Sequence, residues 1–78
     1  MKYLVFYSQG DFTGRSDCHK VIEAESPEDA LKIILKEMDA WLDSISSGFA
    51  PYYELVKVYG AMPCLAEFKG KDKNGEFK

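Results

Sequence analysis

Cys18 and His19 are neighbours, and a thiol touching an imidazole would make a nucleophile with its base. Adjacent side chains on a strand point to opposite faces, so this pair cannot close. His19 is the single histidine and Cys64 the only other cysteine. A zinc site needs about four ligands at spacings such as Cys-x-x-Cys, and none is present. Gly10-x-x-x-Gly14-Arg15-Ser16 is one residue short of a phosphate loop and carries Arg for Lys. It also leads into a strand, which offers no helix N-terminus to an anion. Glu23 and Glu25 share a strand face but sit at a solvated end, with no pocket to raise a carboxyl pKa. The expectation is a chain with no catalytic residue, no cofactor and no metal.

What remains is contact chemistry. Five tyrosines and five phenylalanines stand in 78 residues, and tyrosine couples a large apolar area to a polar tip. The elements that must position them are legible. Residues 2–8 read as a strand rich in Tyr, Val and Phe. Residues 10–17, with Gly10 and Gly14, read as a loop, and 18–25 as a second strand in a hairpin. Ser26 is a good N-cap, Pro27 fits the first helical position, and Asp29 adds a carboxylate to the first turn. Ala30, Leu31, Ile34, Leu35, Met38, Trp41, Leu42 and Ile45 follow as one apolar helical stripe, with Gly48 as a stop. The helix spans about 20 residues, or ~30 Å. Strands follow over 52–59 and 64–69, joined by a turn over 60–63. Lys73-Asn74-Gly75 makes a tight turn, and any fifth strand over 76–78 is stubby.

One amphipathic helix needs an apolar partner, and an antiparallel sheet is the only one on offer. The expected fold is a single α+β domain over 1–78. It is a two-layer sandwich of ββαββ order, with four strands, or five with the stub, and one long helix. One sheet face then lies open. Strand alternation places Leu4, Phe6, Ile22, Ala24, Val56, Val58, Cys64, Ala66 and Phe68 under the helix. It places Tyr3, Val5, Tyr7, His19, Val21, Glu23, Tyr53, Leu55, Lys57, Tyr59, Leu65, Glu67 and Lys69 on the open face.

Three readings use that surface. In the first, Tyr3, Tyr7, Tyr53 and Tyr59 anchor a protein partner, with Phe12 displayed from its Gly-flanked loop. Asp39 and Asp43 break a local rule, being acidic residues four apart in the C-terminal half of the helix, where the macrodipole disfavours them. An acidic ridge of that kind suits a partner with a basic surface. In the second reading the tyrosines stack bases while Lys57, Lys69, Lys71 and Lys73 hold phosphates of a single strand. In the third, two open faces cover each other in a homodimer.

Charge weighs against a general nucleic-acid binder, since ten basic residues face thirteen acidic ones and the net charge is −3. Residues 26–48 hold two basic and five acidic side chains, whereas 69–78 hold four lysines and two acids. No apolar run approaches the ~18 residues of a membrane span. The start, Met1-Lys2-Tyr3-Leu4-Val5-Phe6-Tyr7, lacks the pattern of a secretory leader. The expected setting is cytoplasmic, with Cys18 and Cys64 reduced and a disulfide left to geometry.

Met1-Lys2-Tyr3 and the segment Val21-Ile22-Glu23-Ala24-Glu25-Ser26-Pro27-Glu28-Asp29-Ala30-Leu31-Lys32-Ile33 resemble a pattern of very small phage and mobile-element proteins. Anti-CRISPR proteins of this length and ββαββ order are similar. HicB-type antitoxins share the Met-Lys-Tyr strand and the helix start, but carry a Pro-rich motif and a DNA-binding segment that this chain lacks. The resemblance covers about half the chain. It implies a stoichiometric inhibitor of a host defence complex of the CRISPR kind, and no functional residue is carried over by motif.

Overall fold

In a computed structural model of the chain, the described residues are 1–61 and 63–75. The element order is β1 (Lys2–Asp11), β2 (Gly14–Glu23), α1 (Pro27–Ser44), a 3₁₀ turn (Ser47–Phe49), β3 (Tyr52–Tyr59) and β4 (Cys64–Asp72). The strands form one antiparallel sheet in the order β2-β1-β3-β4, and α1 packs on one side of it. This is the expected two-layer α+β sandwich of ββαββ order. The stub expected at 76–78 lies outside the described residues.

The first hairpin is tighter than its two glycines implied. β1 and β2 pair over ten consecutive positions, from Lys2↔Glu23 to Asp11↔Gly14, leaving only Phe12 and Thr13 in the turn. Two-residue turns usually need positive φ at their centre. Here that burden moves to Gly14, at φ 155°. The Asp11 carboxylate accepts from the Thr13 backbone N–H and hydroxyl, which holds its pKa below the usual value. Between β3 and β4, Gly60 N–H donates to Pro63 O.

The Ser26 side chain caps α1 by accepting from Asp29 N–H at 3.1 Å. The helix ends at Ser44, a few residues before Gly48, because Ile45 is already extended and Ser46 caps the 3₁₀ turn. Ala30, Ile34, Met38 and Leu42 of the stripe are fully buried, with Leu31, Leu35 and Trp41 packed beside them.

The sheet side of the core corrects the expected alternation on two strands. On β1 the helix covers Tyr3, Val5 and Tyr7, with Tyr3 only 4% exposed, while Leu4 and Phe6 face away. Every residue from Tyr3 to Tyr7 is apolar or aromatic, so both faces of β1 looked equally fit for burial. On β3, Val56 and Val58 lie under the helix as expected, but so does Tyr53, at 1% exposure. A bulge flips the alternation there, as the register with β1 shifts between Phe6 and Ser8 and Leu55 takes φ 56°. Gly70 sits across from Glu54 with φ 133° and turns β4 at the same level.

Cys64, expected beneath the helix, is exposed. It lies on the edge strand opposite to that of Cys18, about 14 Å away laterally across three strand spacings. A disulfide needs Cα atoms within about 7 Å, so both thiols stay free.

Candidate interaction surface

The open face can be read in rows across the sheet. One row runs Val21, Leu4, Tyr59, with Leu65 beyond; the next runs His19, Phe6, Lys57, Glu67. Phe6 is the hub, with its ring edge-on to Tyr59 at 5.5 Å between centroids and tilted against His19 at 6.0 Å. Val21 is 61% exposed and Phe6 44%, and Leu55 and Leu65 are exposed as well. The third row is polar and self-contained. Ser8 donates to Asp17 at 2.5 Å, and Arg15 bridges Asp17 at 3.6 Å and Glu54 at 3.0 Å. These contacts raise the Arg15 pKa, chiefly through the hydrogen bond to Glu54. The face is thus split into an apolar end and a spent polar end.

Leu55 stands between the two. Its left-handed backbone costs a non-glycine residue roughly 1–2 kcal/mol, yet its side chain is exposed. Beside it, Phe6, Ser8, Arg15 and Lys57 line a shallow depression of about 290 Å³. Leu55 and Lys57 also border a second depression, with Glu67 and Lys69 on its far side.

Of the four tyrosines expected on this face, the structure keeps one. Tyr59 is on it; Tyr3, Tyr7 and Tyr53 are beneath α1, so they cannot anchor a partner there. Burial raises the Tyr7 pKa, with Cys18 opposite it contributing. Phe6 and Leu4 were missed, and no sequence signal separated them from their neighbours on β1.

The acidic ridge is also reassigned. Asp39 accepts from the Tyr53 hydroxyl at 2.6 Å and pairs with Lys71 Nζ at 3.0 Å. Burial, followed by this bond to Asp39, pushes the Tyr53 phenol well above its ordinary pKa. Glu37 pairs with Lys20 at 2.9 Å, which raises the lysine's pKa. Lys73 donates to the Asp43 carbonyl at 3.4 Å, near the C-terminus of α1, whose last turn has no basic residue of its own. The Asp43 side chain is exposed. Asp39 therefore staples helix to sheet, and Lys71 and Lys73 offset the helix's charge from β4 and the turn after it. Lys69, Lys71 and Lys73 do not share a face, because Gly70 breaks the alternation.

Phe12 is displayed from the hairpin tip, 69% exposed. It stacks on Phe49 at 5.7 Å, and its N–H donates to Phe49 O. Among the described residues no cluster of three or more His, Cys, Asp or Glu side chains could hold a metal, and no helix is long and apolar enough to cross a membrane.

Fold and face together define a small α+β domain with one covered and one open sheet surface. Compared with protein-family models, curated proteins and solved structures, the chain matches none.

Proposed function

We propose that the chain is a non-enzymatic protein-interaction module that works by covering the surface of another protein with its open sheet face. The observation that carries this is Leu55, a bulky side chain held in a strained backbone and presented to solvent. Strain of this kind collects at sites of function. Leu4, Phe6, Val21, Tyr59 and Leu65 extend the contact, with Phe6 as the central aromatic anchor. With Asp39 spent on Tyr53 and Lys71, an acidic ridge meeting a basic partner loses its main member. Lys57 and Lys69, with Glu67 between them, instead favour a partner patch that is apolar with charges of both signs at its rim. The resemblance to small phage inhibitors supports a host defence complex as the target and occlusion as the mechanism, in a cytoplasmic setting.

The experiment is affinity capture from a bacterial lysate with three chains: the natural one, Phe6→Glu with Leu55→Glu, and Lys32→Glu with Lys36→Glu on the exposed side of α1. The captured protein should disappear with the first variant and persist with the second. The reverse pattern overturns the reading.

A second reading rests on Phe6 and Tyr59 lying beside Lys57, an arrangement able to stack a base and hold a phosphate. It is weaker than the sequence implied, because Lys71 and Lys73 are engaged by the helix. Fluorescence anisotropy with labelled single strands at low salt tests it, and no binding at micromolar protein removes it.

A further inference from the structure

The sheet has two edges, and they are unlike. β4 is interrupted, with φ 133° at Gly70 and a register shift against β3 between Val58 and Tyr59. β2 runs ten residues in unbroken register with β1 and contains no proline. Natural sheets blunt such edges with bulges, prolines, short strands or charged side chains; β2 lacks the first three and carries the charges of Arg15, Asp17, Lys20 and Glu23.

The phase of the ladder fixes which backbone groups this edge offers. Met1 and Ala24 exchange both hydrogen bonds, Met1 N to Ala24 O at 3.0 Å and Ala24 N to Met1 O at 2.9 Å. Antiparallel pairs alternate between bonded and non-bonded, so the even-numbered residues of β2 bond to β1. The N–H and C=O groups of Arg15, Asp17, His19, Val21 and Glu23 therefore point away from the sheet, and all five residues are exposed. α1 lies chiefly over β3 and β4 and reaches β2 only from the covered face, through Ile22 and the Lys20–Glu37 pair.

These five residues are complementary to themselves. In an antiparallel pair of two β2 strands centred on His19, every outward residue meets another outward residue. Arg15 falls opposite Glu23 of the second copy, and by symmetry twice, so each guanidinium adds a carboxylate to the Glu54 it already holds and each Glu23 adds a guanidinium to the Met1 amine 3.6 Å away. Asp17 falls opposite Val21, and His19 opposite His19. Centring the pair on Lys20 would set Asp17 against Glu23, two acids. Centring it on Cys18 would lose the Arg15–Glu23 match. We propose that β2 pairs with β2 of a second copy in the register centred on His19. The product is a continuous eight-stranded sheet with both helices on one side and both open faces on the other. This pairing rests on the backbone of the edge, so it stands without the partner-binding reading although Val21 borders both.

Sedimentation velocity across a concentration series tests it. A single strand pair buries less than a standard interface, so association belongs at about micromolar to millimolar protein, and the series spans ~10 µM to ~1 mM. Mass should rise from 8.9 kDa toward twice that value. Arg15→Glu alone and Glu23→Arg alone should each weaken association about tenfold, as two attractive cross-strand pairs become repulsive. The double charge swap should restore it, and Lys32→Glu on the exposed side of α1 should leave it unchanged. Amide exchange on the natural chain gives a readout that needs no variant. Protection at 15, 17, 19, 21 and 23 should grow with concentration, while 16, 18, 20 and 22 are protected throughout. A strict monomer, association indifferent to the charge reversals, or protection without this alternation would each overturn the proposal.

Discussion

The Tyr53 phenol is the residue on which helix and sheet meet. It is buried, it donates to Asp39, and Asp39 in turn holds Lys71. Its pKa is raised above the ordinary 10.0, first by burial and then by the carboxylate. The folded chain therefore keeps this proton at a pH where the unfolded chain has lost it. Stability gained from Tyr53 is complete below pH ~10 and falls as pH rises beyond that value. Alkaline denaturation curves should show this loss, and Tyr53→Phe should flatten it. Asp39→Ala should destabilise by about 1–3 kcal/mol in urea, since it leaves a buried hydroxyl without its acceptor. Asp43→Ala, at an exposed position, should change little. Two acidic residues that looked alike in the sequence thus separate by what β3 and β4 bring to them.

At the scale of elements, local chemistry was legible and strand alternation was not. Ser26, Pro27 and the spacing from Ala30 to Leu42 set α1 in place, because capping and helical period are short-range properties. The stripe of β1 gave no such contrast, since Tyr3-Leu4-Val5-Phe6-Tyr7 would bury equally well on either parity. On β3 the sequence did hold a clue, but in a different strand. Gly70, a glycine inside a strand, marks a bulge, and it lies one residue past the 64–69 span over which the sequence predicts the strand. Its role predicts a sharp response. A Cβ at position 70 would meet Tyr53 O at 2.3 Å and Glu54 Cα at 2.7 Å, both backbone atoms, so Gly70→Ala should cost about 2 kcal/mol or more by thermal or urea unfolding. Leu55→Asn should do the opposite. Asn tolerates the left-handed region, so stability should hold or rise by up to ~1 kcal/mol, while capture of the partner is lost. A variant that both binds and gains stability would show that the strain at Leu55 serves no contact.

For the whole molecule, layer count and chain order followed from the succession of apolar patterns along the chain, whereas the identity of the open face did not. That face exists as expected, yet phenylalanine and aliphatic side chains fill most of the places assigned to tyrosine. One-residue shifts on β1 and β3 account for the difference, since each such shift exchanges inside for outside. The shape departs from a sphere, with extents of 38 × 18 × 18 Å. The accessible area of 5053 Å² sits slightly above the ~4,800 Å² that mass alone predicts.

Strand order gives the molecule an unusual joint. β1–β2 and β3–β4 are each formed by neighbouring chain segments, but the central seam joins Leu4 to Tyr59. The backbone between Ile45 and Ser46 belongs to no strand and no helix. Severing it there would leave every ladder whole and divide the core, with Tyr53, Val56 and Val58 removed from beneath α1 into the second peptide. Such halves should be disordered apart and should recover helical circular dichroism when mixed, so the chain is built as a ready-made complementation pair.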